Sequence, residues 1–328
     1  MKSAILIINR NDYNNTKECL KTLIENNNNE FNIILLDNNS NDGSCDKLIK
    51  EFKLTIFEHS NNLCEKYDIF KRDESFSWFL WWNICIKLND NYWFTWANNF
   101  GMKFAYQNNF DNIMRLNNDT VISKWFIKNA NESLLKFPES IITCATVFYP
   151  DKDYIRYYWW YLNRFGKAKS FYYNKNINTI NKENRYISSL LWAWCYLYYT
   201  RNTLKKLWWQ DNKYFFNLDD ADYTYYANTL WIKTIVDTHT TLMHKSARSV
   251  SDKPWLAMYY YIRNVVYFRK KYFPQIKNIL IYIYLIIHCL AVLIVFTLKW
   301  KRPYSALKNI IIDIYKNKMW RYEWNIFS

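Results

Sequence analysis

The sequence predicts an α/β protein built on a central, mostly parallel sheet flanked by helices. Residues 4–8, AILII, and 33–36, IILL, are continuous apolar runs of the kind that form strands buried on both faces. Between them, 16–25 carries Cys19, Leu20, Leu23 and Ile24 on one helical face, giving strand, helix, strand at the spacing of a right-handed βαβ unit. The second of these strands, like a later one at 113–116, also runs into a polar cluster holding a carboxylate, Asp37 in one case and Asp119 in the other. In open α/β sheets ligands bind just past the carboxyl ends of strands, so both are site candidates.

The elements follow in order. After the first strand comes a polar loop, 9–15. The second strand ends in DNNSNDGS, 37–44, where Asp37 is either a ligand-binding carboxylate or a cap for the helix from Cys45 onward. A further strand reads at 84–88. In 91–120, a turn leads into an amphipathic helix with Phe100 and Phe104 four apart and Ala97 and Ala105 near the same face. Asn108 and Asn109 break that pattern before the strand at 113–116 delivers Asn117, Asn118 and Asp119 into a loop, which read alone is equally an Asx-rich turn. A helix at 124–135 and a strand at 141–148, rich in β-formers, come next.

Composition narrows the class. At 328 residues the chain can bury a large core as one large domain or two modest ones. A formal charge of +15 asks for an anionic partner, and the absence of a Lys/Arg block or nucleic-acid motif sets nucleic acid aside. The seven cysteines are scattered with no metal-finger or redox pair, which fits a reducing cytosol, and MKSAILIINRND turns polar too quickly for a signal peptide.

One count is abnormal: three glycines against seventeen tryptophans, where roughly 7% glycine is ordinary. Turns need positive-φ positions that Trp supplies only at a cost, yet pairs such as Trp81-Trp82, Trp159-Trp160 and Trp208-Trp209 stand where turn chemistry asks for glycine. Some bacterial lineages read UGA as glycine and others as tryptophan, so many of these Trp are expected to be glycines in the native protein.

Read together, IINRND, LKTL, ILLDNNSNDGS, the WFTWANNFGMKFA stretch and MRLNNDTVIS resemble the start of a family 2 glycosyltransferase of the GT-A fold, most like its rhamnosyltransferase-like branch. With Trp93 and Trp96 read as glycine the match becomes closer. It covers about residues 3–265 and lapses over an insertion at about 57–82. The aromatic segment 154–173 resembles the family's acceptor-side hairpin, and SSLLWAWCYLYYTRNTLKKLWW its strand and helix leading to a Gly-Gly turn, with Trp192, Trp208 and Trp209 at glycine positions. The resemblance implies a nucleotide-sugar-binding domain over 1–252, and the change to an aromatic, basic and then apolar composition marks a C-terminal helical, membrane-associating extension over 253–328.

The densest chemistry is FFNLDDAD, where Asp219, Asp220 and Asp222 repel one another unless a cation or substrate compensates, or unless they are a solvated helix N-terminus. By resemblance this is the acidic motif of the acceptor side, with Asp220 the general base, Asp219 where Glu is usual, and Tyr226 where a basic residue is common. His244 in TTLMHKSARS, taken by itself, is more often a satisfied structural residue than a ligand. It matches the family's metal-binding histidine, whereas His239 does not.

The implied reaction is inverting transfer of a rhamnose-like sugar from a nucleotide diphosphate donor to a hydroxyl of a cell-surface glycan or polyprenyl-linked acceptor. Asp119 and His244 would hold Mn²⁺ or Mg²⁺, a carboxylate and imidazole set that suits Mn²⁺ and tolerates Mg²⁺, although Asn117 and Asn118 leave one carboxylate where a pair is usual. Asn9, Asp37, Asn39 and Asn118 would bind the nucleotide sugar. Alternatives are a galactofuranosyl or other hexosyl transferase of the same fold, or a catalytically silent nucleotide-sugar-binding membrane protein, in which Trp93, Trp96 and Trp192 crowd the donor pocket.

Residues 278–298 carry no charge, about the length that spans a bilayer, with a buried core helix as the other reading. Basic residues flank both ends, Arg269, Lys270, Lys271 and Lys277 before and Lys299, Lys301, Arg302 and Lys308 after. Exporting either flank is disfavoured, so peripheral or monotopic attachment to an anionic surface on the cytoplasmic face of the membrane is expected.

Overall fold

The computed structural model describes residues 2–26, 30–58, 83–92, 94–158, 160–162, 168–180, 183–190, 195–207, 209–215, 217–245 and 254–273, with 279, 283, 286, 287, 309 and 311–316. Two compact units emerge. The first comprises Met1–Gln210 with Tyr223–Ser246, and the second Asp211–Asp222 with Ala247–Ser328.

In the first unit, β1 (Ser3–Asn9) is the hub, pairing parallel with β2 (Phe31–Asp37) on one side and β5 (Asn112–Asn117) on the other. Outside β2 lie β4 (Ile84–Lys87) and then β3 (Thr55–Glu58), both parallel. Helix α1 (Tyr13–Asn26) links β1 to β2, and α2 (Ser44–Phe52) links β2 to β3. The predicted βαβ start is therefore present. Successive residues of β1 point to opposite faces: Ile5 and Ile7 join one core with Leu20, Leu23 and Leu35, while Ala4, Leu6 and Ile8 join the other with Ile34 and Leu36. Burial on both faces is why the strand reads as an unbroken apolar run.

Helix α3 (Phe94–Gln107) packs on the second face through Ala97, Met102 and Ala105. Its Gly101 allows close approach, since a Cβ there would lie 2.5 Å from Leu36 Cδ1. Arg115, the charged residue inside β5, is buried and donates from Nε to Asn98 Oδ1 of α3 at 3.0 Å.

Beyond β5 the sheet becomes mixed. Antiparallel β12 (Tyr196–Thr200) separates β5 from β7 (Ile141–Phe148), and β13 (Thr234–His244) runs parallel to β7. Three antiparallel strands complete it: β6 (Thr120–Ile122) on β13, β8 (Ile155–Tyr157) on β7, and β11 (Tyr186–Ser189) at the edge. Among the described residues this makes one mixed sheet of eleven strands, with β9 (Trp160–Leu162) and β10 (Ala168–Ser170) as a separate antiparallel hairpin inside the expected 154–173 segment. The sheet is lined by α4 (Phe126–Lys136) and α5 (Arg201–Leu207). The insertion expected from about 57 begins later, because Phe57 and Glu58 complete β3. Its remainder lies outside the described residues.

In the second unit, α7 (Pro254–Tyr272) is the long helix, and the segment 211–222 packs with it. Helix α6 (Asp219–Thr229) starts in this unit and continues in the first. No helix among the described residues is long and apolar enough to cross a membrane. Most of 278–298 lies outside them. Five free, buried cysteines (19, 45, 85, 144 and 195) are described, and none forms a disulfide.

The end of α6 closes in a two-bond C-terminal motif, with Ile232 N donating to Ala227 O at 3.0 Å and Trp231 N to Asn228 O at 3.1 Å. Trp231 takes the left-handed position at φ 61°, where glycine is the usual occupant, and its side chain is 92% exposed. A residue with a Cβ is strained there by about 1–2 kcal/mol. Trp231→Gly is therefore expected to raise the unfolding free energy by about 1 kcal/mol in urea titrations, while Trp231→Ala leaves it near the parent value.

Candidate active site

The carboxyl ends of β1, β2, β5 and β13 carry the predicted polar residues of the first unit. Asn9, last in β1, is fully buried. Its Nδ2 donates to Asp37 Oδ1 at 2.8 Å and to the hydroxyls of Ser40 and Ser44 at 3.1 Å, and its Oδ1 accepts from Thr16 Oγ1 at 2.8 Å. One amide thus ties the ends of two strands to the starts of two helices. Asp37 also accepts from Ser40 N at 2.9 Å and Ser40 Oγ at 2.7 Å, so it caps its own turn and not the helix at Cys45. In this arrangement Asn9 holds Asp37 in place. Asn39 is exposed and left-handed at φ 58°, a conformation that asparagine tolerates better than most residues.

Asn118 Nδ2 reaches back to α1, donating to Thr16 Oγ1 at 2.9 Å and Asp12 Oδ2 at 3.2 Å. Its neighbour Asp119 sits in the tight turn between β5 and β6, 5% exposed, with Oδ1 3.0 Å from His244 Nε2. His244 ends β13 and is 8% exposed, and the ladder from β6 to β13 sets it opposite Thr120. The two residues expected to share a cation are therefore in contact. Among the described residues no group of three or more His, Cys, Asp or Glu side chains converges. The pair nevertheless fits a cation: two adjacent ligands of an octahedral ion at about 2.1 Å stand about 3.0 Å apart, the spacing seen here. Burial of a carboxylate and an imidazole together, with the shell left for phosphate oxygens and water, is the chemistry that Mn²⁺ or Mg²⁺ takes.

Sequence reasoning missed three groups nearby. Asn38, 4% exposed, donates from Nδ2 to Asn91 Oδ1 at 3.2 Å and to Tyr92 O, while its Oδ1 is buried without a hydrogen-bond partner among the described residues. Arg10, partly exposed after β1, donates to Asn38 O at 2.9 Å. Lys245 follows His244, is held by Glu18 and by Asn15 Oδ1 at 3.2 Å, and lies over the Tyr149 ring at 4.9 Å. Adjacency to Asp37 and His244 was the available signal.

The second unit holds the acidic turn. Asn217 and Leu218, immediately before α6, both have positive φ, 66° and 63°. Two consecutive left-handed residues, one of them leucine, cost of order 1–3 kcal/mol each and persist only when their surroundings fix them. Asn264, fully buried in α7, donates from Nδ2 to Asn217 O at 2.7 Å, and Phe215 packs on the Tyr260 ring with centroids 4.7 Å apart. Asp219 and Asp222 are 8% and 2% exposed; Asp220 is partly buried.

Helix α6 has no basic residue. Its counter-charge is Lys271 of α7, whose Nζ donates to Asp222 at 2.9 and 3.0 Å and to Asp211 Oδ2 at 3.0 Å. Tyr214 adds an O–H bond to Asp222 at 3.0 Å and Tyr267 one to Asp211 at 2.8 Å. Burial pushes the Asp222 carboxyl above its ordinary range, against the pull of Lys271. Burial opposes the charge of Lys271 too, but Asp222 and Asp211 outweigh it and its pKa is raised.

No family model matches the sequence, and no curated protein matches it in sequence. Among solved structures, the chain superposes on GalNAc-T7, crystallised with UDP, GalNAc and Mn²⁺, with a TM-score of 0.55 and 11% identity over 83% of this chain and 54% of that one. It also superposes on residues 1–349 of S. aureus TarS, with a TM-score of 0.52 and 13% identity over 82% of this chain and 65% of that one. The fold is GT-A. The chain spans less than two thirds of either structure, and at these identities the likeness is one of fold.

Lys271→Met is expected to lower the unfolding free energy by about 2–3 kcal/mol, because it strands the buried Asp222 carboxylate. A lysine with a raised folded pKa contributes fully below its unfolded value of 10.5 and loses that contribution as pH rises through the folded value. The gap between parent and variant in urea titrations should therefore hold from neutrality to pH 10 and close above it.

Proposed function

We propose that this chain is an inverting glycosyltransferase that uses a divalent cation to move a sugar from a nucleoside diphosphate donor to an acceptor hydroxyl. The observation that carries the reading is the buried Asp119–His244 pair at 3.0 Å, at the carboxyl ends of β5 and β13 of a GT-A sheet. In this reading Asp119 and His244 hold Mn²⁺ or Mg²⁺, which supplies positive charge against the departing diphosphate. Asp37 and Asn38 orient the base or ribose, with Asn39 and Asn118 beside them. Asp220 takes the proton from the acceptor hydroxyl, and Asp219 supports the acidic turn. Displacement by that hydroxyl opposite the diphosphate inverts the anomeric carbon.

The joint order of the GT-A-like motifs supports a rhamnose-like donor and a glycan or polyprenyl-linked acceptor, with other hexosyl donors on the same fold as the alternative. Attachment to the cytoplasmic face of an anionic membrane is supported by the basic flanks and by exposed Ile279, Ile283, Ile286 and Ile287, which recur at helical spacing. The left-handed, solvent-exposed Trp231 supports reading UGA as glycine. By contrast, Trp96 stacks on Tyr92 at 3.9 Å and packs against the core, and Trp81, Trp82, Trp93, Trp159, Trp192 and Trp208 lie outside the described residues.

The test is turnover and binding of nucleotide sugars with and without Mn²⁺, by the chain as written and by a version with glycine at the suspect Trp positions. Metal-dependent turnover is expected. Asp220→Asn should cut transfer by roughly 100- to 10,000-fold with donor binding intact. Donor binding without turnover in either version favours the catalytically silent reading. Mass spectrometry of the natively produced protein decides the recoding: tryptophan at 93, 96 and 208 overturns it.

A further inference from the structure

Strand β13 carries two histidines, and its backbone decides whether one of them stands at the end of the sheet. Residues Thr234–Asp237 pair with Ile141–Cys144 of β7, and Thr241–His244 pair with Ala145–Phe148, leaving 238–240 out of the ladder. An uninterrupted ladder from Asp237 would set His239 against Thr146 and Thr241 against Phe148, and would carry His244 past the strand end. The slip of three positions is odd, so it would also turn every following side chain to the other face of the sheet. In the structure the excursion leaves His239 exposed and puts His244 opposite Phe148 and Thr120.

The excursion is built around one carboxylate. Asp237 is 1% exposed. It accepts from Thr240 Oγ1 at 2.8 Å and His239 N at 3.0 Å, both inside the excursion, and from Ser133 Oγ of α4 at 2.9 Å. Arg185, just before edge strand β11, grips both oxygens, with Nε at 3.2 Å and Nη2 at 3.1 Å, and its Nη1 holds Glu132 at 3.1 Å. The backbone of Arg185 accepts from Thr238 N at 2.8 Å. Thus every residue left out of the ladder is tied to the Asp237–Arg185 pair.

We propose that Asp237 and Arg185 are positioning residues for the cation pair: they lock the excursion at 238–240, and through it the register that puts His244, in place of Thr241, at the strand end as partner of Asp119. The cation itself rests on the function proposed above, whereas the register does not.

Two readouts separate them. The chain has four histidines, so the ring nitrogens of His244 can be followed by NMR in metal-free protein, where its bond to Asp119 fixes one tautomer. Mn²⁺ binding is titrated in parallel by calorimetry. In folded Asp237→Asn, and in the milder Arg185→Gln, the His244 signature is expected to shift toward that of an unbonded ring and Mn²⁺ affinity to fall about 10- to 100-fold. Deleting 238–240 in the Asp237→Asn background should restore both, since the shortened strand then reaches Phe148 at His244 without an excursion. A general loss of packing would not be repaired by that deletion. An unchanged His244 signature in both substituted proteins, or no recovery on deletion, overturns the proposal. Absence of Mn²⁺ binding in the parent overturns the cation reading and leaves the register result to stand or fall on the NMR.

Discussion

The candidate site depends on one side-chain amide, that of Asn9. A fully buried amide must find partners inside the protein or cost several kcal/mol, and Asn9 finds them at Asp37, Ser40, Ser44 and Thr16. Those partners stand at the end of β2 and at the starts of α1 and α2. The loops 9–15 and 37–44 are sewn together further out, where Asn11 Nδ2 donates to Asn41 Oδ1 and Asn41 N returns a bond to Asn11 Oδ1, each at 2.9 Å. Loops rich in Asn, Asp and Ser are ordinarily the adaptable part of an α/β protein. Here reciprocal bonds make them a rigid rim.

Much of this was legible in the chain. Continuous apolar runs gave β1 and β2 to within two residues at each end, because strands buried on both faces need few polar positions, and β5 and β7 were legible despite Arg115, Thr143 and Thr146. The same fact hid their direction: β12, YLYYT, is as apolar as its neighbours, and nothing local says that it runs antiparallel between β5 and β7. Asp119 and His244 were paired only through resemblance, since 125 positions separate them. Lys271 escaped because it lies 49 positions from Asp222. Asp237 carries no local signal in the sequence, and only the broken ladder reveals what it holds.

The acidic turn follows a different logic. Leu218 at φ 63° is a conformation the leucine would not choose, and three carboxylates beside it repel one another. Asn264 and Lys271 act from one helix, the first on the backbone before the turn and the second on the last carboxylate. The strain and the repulsion are thereby opposed by groups that lie outside α6 altogether. A helix of weak amphipathic character is held by its start.

The sequence distance between Asp119 and His244 has a consequence for how the chain is made. Strand β1 leaves the ribosome before its sheet partners yet sits in the middle of the sheet, and its partner β5 begins more than a hundred residues later. Non-local pairing of this kind folds slowly, and β13 is the last of the described strands to be synthesised. An intermediate without β13 in place cannot present the two side chains together, so a ligand that bridges them recognises a sheet that already holds β13. Its binding then acts as a latch on the completed fold, deepening the native basin by mass action and leaving the partly built chain untouched.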